Sequence, residues 1–490
     1  MKKKLLLINP YFGQSSKFVE GAVDSPPLGL GFVATFVRDH TNCDVEIIDP
    51  LPQGLSEIAV LDKIAGVDFV GLSIFTDIRF YCLDFAKKIK DRYPQCTLIL
   101  GGAHTYFLDK MILEHHPFID VIVRGEGEET TVELVEGKSL QEIAGITYRH
   151  LNGEIIRNPD RPLIQDIDRL YIDYELFPDI SLYKSDIEVS LDLRKLKTAY
   201  MIESRGCPFK CTYCANQHWH GVWRAVSPVR TVDKMEHLVK NYGVQYFRFY
   251  DDLFTANKNR TLEFCRILKE RRLNVHFRVL VRAGISKDTL KALKEVGCES
   301  IGLGIESGSD RMLKRIEKGI TRQQIIETIN SCKELGLWVV GSFIVSLPGE
   351  TQEDYKASLA LVNLPDTFMA GILHILPGTS FYNELKEKGE MDDSIWFDRK
   401  KEGHIYYCQE YFASAPLTLA QGQWRAFYMK YYARLKHPVK IMKLYGVWVG
   451  IAIIIFTAFD TLFKGKLYKI AFRYRNLYRK FTTRTGNAEG

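Results

Sequence analysis

Several features are missing from this 490-residue sequence, and each absence removes a class of protein. Its ten cysteines are few, and Cys43, Cys82, Cys96, Cys265, Cys298, Cys332 and Cys408 are scattered, so there is no disulfide framework. The amino terminus imitates a signal peptide, but its apolar run, Leu5 to Ile8, reads better as a first strand. No G-x-G-x-x-G follows that strand, which argues against a dinucleotide. A long hydrophobic span is also lacking. Leu444 to Phe459 is free of charge, but as a helix it reaches only about 24 Å against roughly 30 Å of bilayer hydrocarbon. Hydrophobic content of 46% and charged content of 26% exclude general disorder.

What is present centres on Glu203-Ser-Arg-Gly-Cys207-Pro-Phe-Lys-Cys211-Thr-Tyr-Cys214. Three thiols spaced C-x-x-x-C-x-x-C follow the apolar run Thr198 to Ile202 and so lie on a loop leaving a strand. A zinc site or a fully protein-held 4Fe-4S cluster takes four ligands. A fourth local cysteine is missing here. Three thiolates on four irons leave one iron open, which points to a catalytic cluster rather than a structural one. Such a cluster needs reduced thiols, and hence a reducing cytoplasm.

Before this loop, residues 1–140 alternate short strands with helical patterns, as in a doubly wound parallel sheet. Ligands of such sheets bind at the carboxyl ends of the strands. Glycine-rich or polar turns follow there: Ser73 to Asp77, Gly101-Gly102-Ala-His104 and Arg124-Gly125-Glu126-Gly127-Glu128. Residues 141–195 read as a linker containing a hairpin at Asn152-Gly153. Residues 196–385 repeat strand and helix six times, which predicts a partial (β/α)6 barrel with chemistry at the carboxyl ends of its strands. Those ends carry Glu203-Ser204, Asp251-Asp252, Arg282, Glu306-Ser307, Ser346 and His374. An aromatic-rich helical cap is expected over 386–436 and a basic, apolar tail over 437–490.

The short pieces Ser25-Pro-Pro-Leu-Gly-Leu30, Gly71-Leu-Ser73, Gly101-Gly-Ala-His104 and Gly125-Glu-Gly-Glu128 resemble, in order and spacing, the cobalamin-binding domain of cobalamin-dependent radical S-adenosylmethionine enzymes. This resemblance implies cobalamin contacts from Ser73, Thr76, Gly101, Gly102, His104, Gly125 and Glu126. The D-x-H-x-x-G motif of many cobalamin domains is absent after the first strand, so no histidine on cobalt is implied. In the second half, Cys207, Cys211 and Cys214 are similar to the superfamily's cluster motif. Tyr250 to Thr255, Gly302 to Gly308, Ser346 to Thr351 and Leu376 to Thr379 are similar to its later motifs. The implied S-adenosylmethionine contacts are Tyr213, Asp251, Asp252, Arg282, Gly304, Glu306 and Ser307. Structural alternatives stand beside these roles: Glu306 as a helix cap, Asp252 as a loop brace, His104 as a turn histidine. His218, His220 and Cys408 read as packing or solvated residues.

The resemblance extends to hopanoid methylases and the anaerobic magnesium-protoporphyrin ester cyclase. The expected activity is methylation of carbon in a hydrophobic lipid, isoprenoid or tetrapyrrole-like substrate through a 5′-deoxyadenosyl radical. The alternatives are non-methylating cyclisation, ring contraction or oxidation, and a cobalamin-binding sensor without catalysis. An electron donor such as flavodoxin or ferredoxin is implied. From Lys430 onward thirteen Lys and Arg face only Asp460 and Glu489, and the pattern from Leu467 to Phe481 is a basic amphipathic helix. The expectation is therefore a cytoplasmic protein bound through its tail to the inner membrane surface, and not to nucleic acid.

Overall fold

The computed structural model describes residues 2–12, 25–183, 193, 196–216 and 222–401. Two sheets organise them. The first contains β1 (Lys4–Ile8), β2 (Asp44–Ile48), β3 (Phe69–Ser73), β4 (Thr97–Gly101), β5 (Val121–Val123), β6 (Ile146–Arg149) and β7 (Ile155–Arg157), in the spatial order β2-β1-β3-β4-β5-β6-β7. The first five strands are parallel. The β6–β7 hairpin adds two antiparallel strands beyond β5, so the Asn152-Gly153 turn extends this sheet. An order of 2-1-3-4-5 places a topological switch point between β1 and β3, where a ligand crevice opens at the carboxyl edge.

The chain then enters β8 (Thr198–Met201), a short β9 (Ser204–Arg205) and β10 (Arg224–Ala225), followed by β11 (Tyr246–Phe249), β12 (His276–Val281), β13 (Cys298–Glu306), β14 (Trp338–Val345) and β15 (Thr367–Ile372). Six of these form an all-parallel sheet in the order β15-β14-β13-β12-β11-β8, a partial barrel. Strand periodicity sets its two faces. In β11, Phe247 and Phe249 pack outward with Val232, Met235 and Phe264 of the helical layer. Arg248 turns the other way, its guanidinium 5.6 Å from the ring centre of Tyr200 and 5.3 Å from that of Tyr250. The helix Pro228–Tyr242 illustrates the outer layer. Ser227 caps it by accepting from the Arg230 amide, Pro228 suits its first turn, and Gly243 at φ +64° closes it. Its buried Val232, Met235 and Leu238 lie on one face.

The two sheets are joined through their loops. Leu373 and Ile375 after β15, with Met312, Ile316 and Leu347 of the barrel, share one apolar cluster with Leu72, Ile78 and Cys82 of the first sheet. A buried ion cluster joins them at a second point. Arg224 grips both carboxylate oxygens of Glu126 at 3.0 Å, and Arg205 reaches Glu126 at 2.7 Å and Glu128 at 2.5 Å. The Ile164 amide adds a hydrogen bond to Glu126 at 2.7 Å. Burial pushes the Glu126 carboxyl up, but the guanidinium groups of Arg224 and Arg205 outweigh this and hold it below its usual value.

One expectation is corrected. The membrane-associated tail, and with it a membrane surface as partner, is not supported: among the described residues no helix is long and apolar enough to cross a membrane. The helix Pro228–Tyr242, at 15 residues, is about 22 Å long and carries charge along its length. Leu444 to Phe459, the basic helix after it, the aromatic cap's tail and Cys408 lie outside the described residues, as do His218 and His220.

Glu126→Ala leaves Arg224 buried without its bidentate partner, and should lower stability by about 3 kcal/mol. The check is the urea midpoint at neutral pH. The clamp's contribution should fade in the wild type as pH falls through the lowered carboxylate value, and the variant should lack that dependence.

Candidate active site

The cysteine loop starts where β8 ends. β9 and β10 pair antiparallel, Ser204 with Ala225 and Arg205 with Arg224, and so close the neck of the loop. Gly206 at φ +81° turns the chain immediately before Cys207. The Thr212 amide donates to the Ile316 carbonyl at 3.1 Å, and the Phe381 amide donates to the Thr212 carbonyl at 3.3 Å, which stitches the loop to barrel elements far away in sequence. Cys211 is buried, and Cys207 and Cys214 are half-buried. Burial pushes the Cys214 thiol up to about 11, with Cys211, Asp252 and Cys207 acting in the same sense. Burial raises Cys207 as well, while Arg282 pulls it down.

The three sulfurs therefore sense one another. Yet among the described residues no three His, Cys, Asp or Glu groups converge closely enough for a single metal ion. Three cysteines with no fourth close by in sequence fit a multi-iron cluster, whose ligands attach to different irons, better than a four-ligand zinc site. Arg282 supports the same fit. Its guanidinium lies 3.6 Å from the ring centre of Phe209, and its Nη2 is buried without a hydrogen-bond partner among the described residues.

At the end of β13, Glu306 holds a left-handed backbone at φ +60°, uncommon for a residue with a side chain. Its carboxylate accepts from Lys318 Nζ at 2.8 Å, and the same ammonium reaches the Tyr213 hydroxyl at 3.2 Å. Gly304 leaves room for this pair, because a Cβ would lie 2.7 Å from Glu306 Oε1 and 2.8 Å from Lys318 Nζ and would push these two flexible side chains aside. Ser307 is buried against Ser358, 3.1 Å between hydroxyls, and accepts from the Ser309 amide. Asp251 is buried beneath the loop, its carboxylate accepting from the Ser204 hydroxyl and, at 3.2 Å, from the Glu203 amide. Asp252 takes hydrogen bonds from the Gly206 amide and the Asn216 side chain. Lys318 was not singled out from the sequence, because it follows Glu306 by twelve residues and no local pattern marks it.

On the first sheet, Ser73, Thr76, Gly101, Gly102 and His104 come together at the ends of β3 and β4. Gly102 has φ +98°, and a Cβ there would stand 2.8 Å from the backbone of Ile74. His104 is buried, its Nδ1 lying 3.2 Å from Thr76 Oγ1 and its ring edge-on to Trp396. Burial, then Arg79, lowers it to about 3, so the ring is neutral; Nε2 has no partner among the described residues. This glycine cradle with an orphaned buried nitrogen suits a large polar cofactor. Gly125, at φ +74°, turns the chain after β5, and Glu126 beyond it serves the ion cluster. Between the two groups, Asp77 from the turn after β3 approaches His374 from beyond β15 at 3.4 Å.

Comparison with known proteins agrees with this arrangement. The radical SAM superfamily model matches residues 201–362, and the B12 binding domain model matches residues 18–135. The chain is 36% identical over 365 residues to an uncharacterized methyltransferase of Pyrococcus horikoshii, covering 73% of this chain and 77% of that protein. It is 28% identical over 404 residues to the anaerobic magnesium-protoporphyrin IX monomethyl ester cyclase of Rubrivivax gelatinosus, covering 80% and 71%. Among solved structures, the radical S-adenosylmethionine methyltransferase TsrM of Kitasatospora setae, with cobalamin and a 4Fe-4S cluster bound, aligns with a TM-score of 0.62 at 18% identity, over 79% of this chain and 75% of that one. At that identity the likeness is one of fold.

Burial raises the Asp251 carboxyl from 3.8 to about 7. Between these values the folded state keeps a proton that the unfolded chain releases, so this group's contribution to stability is full at low pH and declines as pH rises across the window. Asp251→Asn should flatten that decline relative to wild type, read as urea midpoints from pH 4 to pH 8.

Proposed function

As the chain belongs to the cobalamin-binding radical S-adenosylmethionine enzymes, we propose that it methylates a carbon atom of a hydrophobic small molecule. The enzyme is related to the anaerobic magnesium-protoporphyrin ester cyclases and to TsrM-like methyltransferases, and its cofactors are a 4Fe-4S cluster, S-adenosylmethionine and cobalamin. When bound, these would supply a 5′-deoxyadenosyl radical and a methyl group.

The observation that carries the reading is the Arg205–Glu126 contact. Arg205 stands two residues before Cys207, and Glu126 stands in the turn after β5, so the cysteine loop is tied to the carboxyl edge of the first sheet. In this reading Cys207, Cys211 and Cys214 hold the cluster. Tyr213, Glu306 and Lys318 orient the cosubstrate's polar groups, Gly304 leaves them room, and the orphaned guanidinium nitrogen of Arg282 receives an anionic group. Asp251, Asp252 and Ser307 brace the strand ends on which those side chains stand. Ser73, Thr76, Gly101, Gly102, His104 and Gly125 form the wall against which cobalamin lies. Exposed Phe75, with Tyr11 beside it at 6.4 Å between ring centres, offers an apolar surface at the switch point for the substrate.

A second reading, cyclisation or oxidation without methyl transfer, is supported by the likeness to the cyclases along most of the chain. The product decides between them. Metabolites extracted from cells lacking the gene, incubated with reconstituted enzyme, reductant and S-adenosylmethionine, should yield a compound heavier by one methylene unit. A new product without that gain would favour the second reading. Replacing Cys207, Cys211 and Cys214 by Ala should abolish the cluster's visible absorption and reduce 5′-deoxyadenosine release to background, while urea unfolding keeps a cooperative transition.

A further inference from the structure

We propose that Trp396 and Arg79 are positioning residues for cobalamin binding: the segment that follows the barrel returns to the first sheet as a strap and holds the turns after β3 and β4 in the shape that receives the cofactor. The inference rests on the reading above that these turns form part of the cobalamin wall.

The turns have an open layer and a buried one. Ser73, Gly101 and Gly102 are partly open to solvent, while Thr76 and His104 are buried. The Ile74 amide donates to the Gly101 carbonyl at 2.8 Å and the His104 amide donates to the Ile74 carbonyl at 3.2 Å, so the two turns are knitted together. Gly102, at φ +98°, passes so close to the Ile74 backbone that a side chain is excluded. His104 anchors this glycine turn from within, its Nδ1 lying 3.2 Å from Thr76 Oγ1. Burial, then Arg79, keeps the ring neutral. Its Nε2 is buried without a partner among the described residues. Such a group gains by reaching water, so the ring keeps its place only while its neighbours shut solvent out.

The cover comes from a distant part of the chain. Ile395 and Trp396 end the short helical turn Asp393–Trp396, which follows the helix Ser380–Glu387 beyond the last barrel strand. Trp396 is fully buried, and its ring stands edge-on to His104 with 5.9 Å between centres. The indole Nε1 donates to the Tyr382 hydroxyl at 3.0 Å, and that hydroxyl donates to Asp393, which fixes the ring from its own side. Arg79, also fully buried, opens the helix Arg79–Arg92. It donates from Nη1 to the Thr76 carbonyl at 2.8 Å, from Nη2 to the Ile395 carbonyl at 2.9 Å and from Nε to the Trp396 carbonyl at 3.3 Å. One planar guanidinium thus ties the turn after β3 to the strap in a fixed geometry.

Apolar packing adds area to these bonds. Ile395 and Trp396 share one cluster with Ile74, Ile78 and Leu108 of the first domain. Further along, Phe397 stacks flat on His115 with 4.0 Å between ring centres, and Arg399 pairs with Asp84. On its barrel side the strap hangs on other contacts, the Phe381 amide to the Thr212 carbonyl at 3.3 Å and Arg315 to Glu384 at 2.5 Å, which changes at Trp396 or Arg79 leave standing. Loosening Trp396 or Arg79 therefore acts on Thr76 and His104, and through them on the open glycine turn. Both residues are too deeply buried to meet a ligand at that edge, so they position the wall and do not form it.

Full-length enzyme carrying its cluster but freed of cobalamin is titrated by equilibrium dialysis with hydroxocobalamin, and in parallel with S-adenosylmethionine. Trp396→Leu and Arg79→Gln should weaken hydroxocobalamin binding about tenfold, with S-adenosylmethionine binding within about twofold of wild type, as expected when the support of one site is loosened. Trp396→Phe and Arg79→Lys keep a ring and a cation, should fall between these and wild type, and carry the test if the first pair does not fold. Ile89→Ala, in the same apolar cluster but further along the helix Arg79–Arg92, is the comparison: it should lower the urea midpoint and leave hydroxocobalamin affinity as in wild type. Strap variants that lower the urea midpoint yet bind hydroxocobalamin as wild type does would overturn the proposal. Equal weakening of both ligands, or the same weakening in Ile89→Ala, would overturn it too, because general loosening gives that result. Gly102→Ala separates the strap from the reading beneath it. Unchanged hydroxocobalamin binding in Gly102→Ala would overturn the placing of the wall and the strap with it, whereas weakened binding there beside unchanged binding in the strap variants would overturn the strap alone.

Discussion

Everything in this protein depends on holding the carboxyl edges of two parallel sheets against each other. Parallel strands place all their functional loops at one edge, so two such sheets share a reaction space only when those edges meet. Here apolar packing through Leu373 and Ile375 supplies the area, and the buried carboxylate of Glu126 supplies direction by pairing with Arg205 and Arg224. A buried ion pair adds little net stability compared with apolar packing, but it penalises any arrangement that leaves one partner bare. That property suits an interface whose register matters.

The same economy of position governs the barrel mouth. Glu306 and Ser346 both carry left-handed backbones at the ends of adjacent strands, at φ +60° and +66°. Strain of this kind persists only where the surroundings over-determine it, and it gathers at sites that work on ligands. Lys318 holds Glu306 and Tyr213 together, so one ammonium links the end of β13 to the cysteine loop. Asp251 and Asp252, from a single dipeptide after β11, divide their tasks: one is buried under Ser204 and Glu203, and the other meets the loop at Gly206 and Asn216.

The strand pattern was legible from the sequence because burial on one face of each strand imposes a period that survives without any knowledge of partners. His276 to Val281 and Trp338 to Val345 are strands over those residues, and the first five parallel strands fall where short apolar runs end in glycine or polar turns. The tail illustrates the opposite case. An uncharged run beside basic residues is compatible with a membrane, but no described helix has the length and apolarity to cross one, and composition alone does not say what an apolar run packs against.

The sequence by itself determined which groups are available: three thiols at fixed spacing with no fourth cysteine close by, six strand and helix units, and a separate parallel sheet ahead of them. These are local facts, written in spacing and period. The tertiary structure alone decided which of the polar strand ends meet. It gave Glu126 to the arginines beside the cysteine loop, brought Lys318 back to Glu306 across a helix, and set Asp77 against His374 from another domain. No periodicity encodes such pairs, because their distance along the chain bears no relation to their distance in space. Only the closure of one folded edge on the other makes them neighbours.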